Sequence, residues 1–289
     1  PQRGLRAHFR VNGEERSVAE ISLGAGEEGS ILFFHRFDRP ESHLLEVEVN
    51  ADRLRSDNTG RAAVEVLEQL PVLIVAGRLS TGPLEGDADY LQRALRPTVL
   101  TPAATGLADL IAPHVVAETD FSPRHLDGVR VVILANVAEV KEASCSALES
   151  FVRDGGGLLI FPGARARLSW YDQALYQGGE GLLPAAMTTM DSVGGEAPRG
   201  LIVGRFDHPA LALFNQPGAG RLSGIQVKHW YRLEPVTAPD DVAPARVLVR
   251  LDTHDPFLVE RRFGEGRVLL CAVPAQTDWS NLPLRPAFV

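Results

Sequence analysis

Apolar and polar residues alternate along the chain up to Pro71, and beyond it the apolar residues gather into unbroken runs. Leu5, Ala7, Phe9 and Val11 are separated by Arg6, His8 and Arg10, the period of a strand with one buried face. Asn12-Gly13 follows, a dipeptide suited to a two-residue hairpin. A second strand is expected near Ser17–Leu23, a turn through Gly24–Gly29, and a third strand over Ile31–Phe37. Leu45, Val47 and Val49 then alternate with Glu46 and Glu48, and Ala63–Leu67 can form a last strand after the polar Asp52–Gly60 loop. Short strands at this spacing predict an immunoglobulin-like β-sandwich over residues 1–70.

From residue 71 to 289 the grammar is that of an α/β domain. Val72–Ala76 is a continuous apolar run, as expected of a strand covered on both faces. Asp87 is a plausible N-cap for a helix that buries Tyr90, Leu91, Ala94 and Leu95 and stops before Pro97. Val99-Leu100 and Val115-Val116 are short strand candidates, and Val129–Ala135 is a second buried run. The next helix places Cys145, Leu148, Phe151 and Val152 on one face, with Gly155 as its stop. Leu158–Phe161 follows at once as a strand. Alternating buried strands and amphipathic helices predict a mostly parallel sheet. One helix and loops are expected over Trp170–Gly200, and strands over Leu201–Phe206, Gly224–Leu233, Arg246–Leu251 and Phe257–Val273, the last turning at Gly264-Glu265-Gly266.

Composition narrows the functions available. The chain has 289 residues, 45% hydrophobic and 23% charged, enough for two domains with their own cores. Net charge is −8 and the pI about 5.5, so no overall positive field favours nucleic acid or anionic lipid. Lys141 and Lys228 are the only lysines, which reads as coding bias in a GC-rich genome. Cys145 and Cys271 sit in apolar periodic segments and read as buried free thiols. Asp252-Thr253-His254-Asp255 is the densest cluster of metal-type ligands, but Pro256 makes it turn chemistry, and no second histidine or cysteine has ligand spacing with it. No metal and no cofactor is expected. No apolar run approaches the roughly 18 residues of a membrane span. The chain nevertheless starts and stops in mid-pattern, which suggests a piece of a longer protein.

The order of elements from Val72 resembles the class I glutamine amidotransferase-like fold, a flavodoxin-like sheet. Val72–Gly77, Val131–Asn136, the Ala143–Asp154 helix and Gly155–Gly163 carry this resemblance. More narrowly, Phe263-Gly264-Glu265-Gly266-Arg267-Val268, Thr277–Pro283 and the Asp52–Asn58 loop are similar to bacterial Bat-type (aerotolerance-regulator) membrane proteins. That resemblance implies a membrane-associated chain contacting the bilayer only through segments outside this sequence. Its partners would be other domains of the same protein or of a membrane complex.

The resemblance also implies a cysteine nucleophile at the turn after Leu158–Phe161, with a late His-x-Glu pair. Here the turn is Pro162-Gly163-Ala164, and no His-x-Glu pair occurs. A Gly-x-Ser-x-Gly elbow and a phosphate-loop lysine are missing as well from Gly77–Gly82. Arg78, Ser80, Asn136, Gly163, Ala164 and Arg165 all fall at the carboxyl ends of the strands, where open α/β sheets bind ligands. No catalytic residue is assigned among them. The expected function is a non-catalytic module acting in protein interaction or assembly; the alternative is a small-ligand, hydrolase or transferase site in that cleft.

Overall fold

The computed structural model describes residues 2–50, 58–97, 110–216, 222–237 and 244–288. The strand expected at Val99-Leu100 and most of the Asp52–Asn58 loop lie outside them. The chain divides into two compact units, Pro1–Gln69 and Leu70–Val289.

In the first unit, β1 (Gln2–Val11), β2 (Glu14–Leu23), β3 (Ser42–Val49) and β4 (Thr59–Glu65) form one antiparallel sheet in the order β2-β1-β3-β4. Asn12 and Gly13 close the first hairpin at φ 52° and 83°, the left-handed geometry that matches strand twist. Leu5, Ala7, Phe9 and Val11 are buried on one face. On the other, Arg10 donates to Glu46 at 3.1 Å and to Glu48 at 2.7 Å.

Of the expected immunoglobulin-like sandwich, the described residues of this unit form a single sheet. Ile31–Phe37 is extended and alternates in exposure, yet it joins no ladder. Phe33 stacks on Phe9 at 5.2 Å, whereas Leu32 and Phe34 are 80% and 91% exposed. Period two fixes which side chains face the sheet; it does not supply a hydrogen-bonding neighbour.

The second unit contains β5 (Leu70–Ala76), β6 (Ile111–Ala117), β7 (Val131–Ala135), β8 (Gly157–Phe161), β9 (Ala185–Ser192), β10 (His229–Pro235), β11 (Arg246–Arg250), β12 (Pro256–Phe263) and β13 (Gly266–Cys271). Seven of these build a sheet in the order β11-β12-β13-β8-β7-β5-β6. The run from β13 to β6 is parallel, and β12 lies antiparallel to both its neighbours. β9 and β10 pair separately. The α/β class with a mostly parallel sheet is therefore present.

Helix α1 (Asp87–Leu95) buries Leu91 and stops before Pro97; α2 (Glu142–Arg153) buries Leu148 and Val152. Gly155 at φ 109° ends α2 and turns the chain into β8. Within Trp170–Gly200, a helical stretch over Tyr171–Tyr176 is joined by the unforeseen β9. Leu201–Phe206 contributes only one bridge, Leu201 to Leu251. Near the C-terminus, Trp279 and Leu282 are buried and the Phe288 ring meets Phe161 at 6.2 Å, so this segment covers its own unit.

Candidate functional site

Parallel strands deliver their following residues to one edge, so Gly77 after β5, Asn136 after β7 and Gly163 after β8 meet there. The backbone is tied across the edge: Gly77 N donates to Ala135 O at 2.9 Å and Asn136 N to Phe161 O at 2.8 Å. Asn136 adopts φ 52°, a conformation asparagine tolerates better than most residues. A Cβ on Gly77 would stand 2.6 Å from the Asn136 carbonyl carbon, so only glycine lets the two strand ends approach this closely.

The Asn136 side chain takes the space beside the elbow. Its Oδ1 accepts from Arg165 N at 3.1 Å, and its Nδ2 donates to Asp87 Oδ2 at 3.2 Å. A Cβ on Gly163 would lie 2.5 Å from the Asn136 carboxamide carbon. Gly163 O accepts from the Tyr231 hydroxyl at 3.0 Å, which anchors the turn from β10. Arg165 donates from Nη2 to Glu118 Oε1, and Glu118 Oε2 accepts from Ala138 N at 2.7 Å.

Asp87 is the unusual group in this network. It opens α1 rather than capping it, Gly86 being the cap, and it is only 7% exposed. Burial pushes its carboxyl up to about 6, with hydrogen bonds from Asn136 and from the backbone of Ala275 and Asp87 pulling the other way. Its Oδ1 has no hydrogen-bond partner among the described residues. A carboxyl poised near neutrality with a free oxygen has the chemistry of a general base. Burial limits its access: a cavity of about 240 Å³ opens beside Glu118 and Val140, and Asp87 is not among the residues lining it.

The six residues expected at this edge do not converge equally. Asn136, Gly163 and Arg165 belong to one network. Ala164 is exposed at the turn and has no reactive group. The Ser80 hydroxyl donates to Asp89, whose Oδ2 also accepts from Glu85 N and Gly86 N at 3.1 Å, so Ser80 braces the start of α1. Arg78 is exposed and has no ion pair among the described residues. Neither thiol reaches the edge with nucleophilic character: burial pushes Cys145 up to about 11 and Cys271 up to about 12. Asp87, Glu118 and Tyr231 are the residues the sequence did not assign. Asp87 had a signal only as a helix start, and its burial depends on side chains far away in sequence.

No protein-family model matches the chain, and neither does any curated protein. The fold itself has relatives. The cytoplasmic protein STM1381 from Salmonella typhimurium LT2 superposes with a TM-score of 0.52 at 15% identity, over 73% of this chain and 90% of that one. The cytoplasmic protein STM3548 from Salmonella typhimurium gives 0.51 at 14% identity, over 76% and 94%. At such identities the likeness is one of fold.

Membrane association is corrected on these findings. No described helix is long and apolar enough to cross a membrane, since α1 and α2 have 9 and 12 residues against the roughly 20 a span requires. The two Salmonella proteins named above carry the name cytoplasmic.

Proposed function

We propose that this chain is a non-catalytic relative of class I glutamine amidotransferase-like domains, of the kind present in Bat-type proteins, and that it acts in protein interaction or assembly. The first unit is then a reduced immunoglobulin-like domain, with Ile31–Phe37 in the place of a second sheet. Partners are other domains or proteins; the net charge of −8 argues against nucleic acid. The observation that carries the reading is the Asn136 carboxamide, bonded to Arg165 N and Asp87 beside the elbow where acyl-transfer folds hold a thiolate. Acyl transfer needs a nucleophile next to its oxyanion donors, and Pro162-Gly163-Ala164 offers none.

One observation favours the alternative of a ligand or hydrolytic site: Asp87, near-neutral and with a free oxygen. Turnover of glutamine, aryl esters and a peptide pool by the purified chain separates the two readings. The interaction module gives no rate above buffer. A rate that Asp87→Ala abolishes establishes the alternative.

A further inference from the structure

A second cluster lies on the antiparallel side of the α/β sheet, away from the strand-end edge. In the β11–β12 register Arg246 stands opposite Glu260, and in the β12–β13 register Arg262 stands opposite Arg267. Directly paired residues share a face, and Glu260 and Arg262 are two apart on one strand. All four side chains therefore emerge on the same face. Arg267 also pairs with Gly157 at the start of β8, which puts the cluster at the opposite end of the parallel strands from Asn136.

Among the described residues, the charges on this face are not balanced. Glu260 is its carboxylate, and both oxygens are committed: Oε1 accepts from Arg267 Nη1 at 2.8 Å, and Oε2 lies 2.9 Å from His208 Nε2. Arg246 has no ion pair among the described residues. Arg262 has only Glu265 at 3.9 Å, with the two side chains 58% and 83% exposed, a contact of little strength. Like charges directly opposite on a ladder disfavour each other, and Arg262 faces Arg267 with no acid between them. Arg261 belongs elsewhere, donating to Gly179 O at 2.6 Å on the other face.

Between these groups is a cavity of about 380 Å³, walled by His208, Pro209, Pro244, Glu260 and four arginines, Arg246, Arg261, Arg262 and Arg267, of which Arg261 spends its guanidinium on Gly179 O. Three guanidinium groups against one engaged carboxylate leave it electropositive in a chain whose net charge is −8. Guanidinium forks match oxyanions bidentately, and the volume falls in the range of small-molecule sites. We propose that this cavity binds a compact oxyanion carrying two or more negative charges, with Arg246 and Arg262 as its principal ligands. The ligand supplies the counter-charge that Arg246 lacks among the described residues and that Arg262 draws only weakly from Glu265. This site does not depend on the reading of the strand-end edge.

Calorimetric titration of the whole chain with pyrophosphate, inorganic phosphate and citrate tests it, against sodium chloride at matched ionic strength. Pyrophosphate or citrate is expected to bind with sub-millimolar Kd. Arg246→Gln and Arg262→Gln should each weaken binding at least tenfold, with far-ultraviolet dichroism unchanged. Without ligand, Arg262→Gln should raise Tm, because it removes one of two opposed charges. Preference for pyrophosphate assigns the site to phosphate esters, and preference for citrate to polycarboxylates. Titration heats no larger than those of chloride, or unaltered binding when Arg246→Gln and Arg262→Gln are combined, would overturn the proposal.

Discussion

Asn136 Nδ2 donates to Asp87 Oδ2 at 3.2 Å, joining the end of β7 to the start of α1, while Asp87 Oδ1 has no hydrogen-bond partner among the described residues. The Asn136 amide and the backbone N–H groups of Asp87 and Ala275 pull the carboxyl down, but they do not replace the water a carboxylate loses on burial. The fold therefore holds Asp87 toward its protonated form.

The consequence is a stability that falls as pH rises. Asp87 titrates at 3.8 when free and near 6 when folded, so between those values the folded chain binds the additional proton. The stabilisation is complete below about pH 4, is lost through about pH 6, and is then flat. Two pH units correspond to at most about 3 kcal/mol. Urea unfolding of parent and Asp87→Asn across pH 4 to 8 should show this slope in the parent minus variant difference. A difference independent of pH would place Asp87 in water.

The strand-end glycines predict a graded pair of effects. Gly77→Ala sets a Cβ against the Asn136 backbone, which cannot step aside, and should cost more than about 3 kcal/mol. Gly163→Ala meets only the Asn136 side chain and should cost about 1–2 kcal/mol by displacing it from Asp87 and Arg165. In an Asn136→Ala background the Gly163→Ala penalty should vanish, a coupling that a double-mutant cycle measures directly. Equal penalties in both backgrounds contradict the packing described.

In the first unit, Phe33 and Phe34 should separate sharply despite being neighbours. Phe33→Ala removes the ring stacked on Phe9 at 5.2 Å and is expected to destabilise that unit by about 3 kcal/mol. Phe34, 91% exposed, should tolerate alanine within about 0.5 kcal/mol. Thermal melts of the two variants decide the matter, and a larger loss for Phe34 would invert the face assigned to the segment.

What could be read in advance follows from range. The Asn12-Gly13 hairpin, the Gly155 helix stop and the buried runs of β5, β7 and β8 are local signals, and each appears where its chemistry puts it. The faces of Ile31–Phe37 were legible because period two is local; its lack of a ladder was not, because pairing depends on distant strands. At the candidate site, Asn136, Gly163 and Arg165 followed from the strand ends. Asp87 did not, since a helix-start aspartate is ordinarily exposed and its burial arises only in the assembled unit. Ser80 failed for a related reason: Asp89, in the first turn of α1, had first claim on its hydroxyl.

The non-catalytic reading is tested most directly by intact-mass analysis of the chain treated with a glutamine-like electrophile at pH 7.5. Cys145 and Cys271, held up at about 11 and 12 by burial, should stay unmodified over hours in the folded chain and react together once it is unfolded. Rapid, stoichiometric labelling of one residue in the folded chain, whether either cysteine or Ser80, would contradict the account.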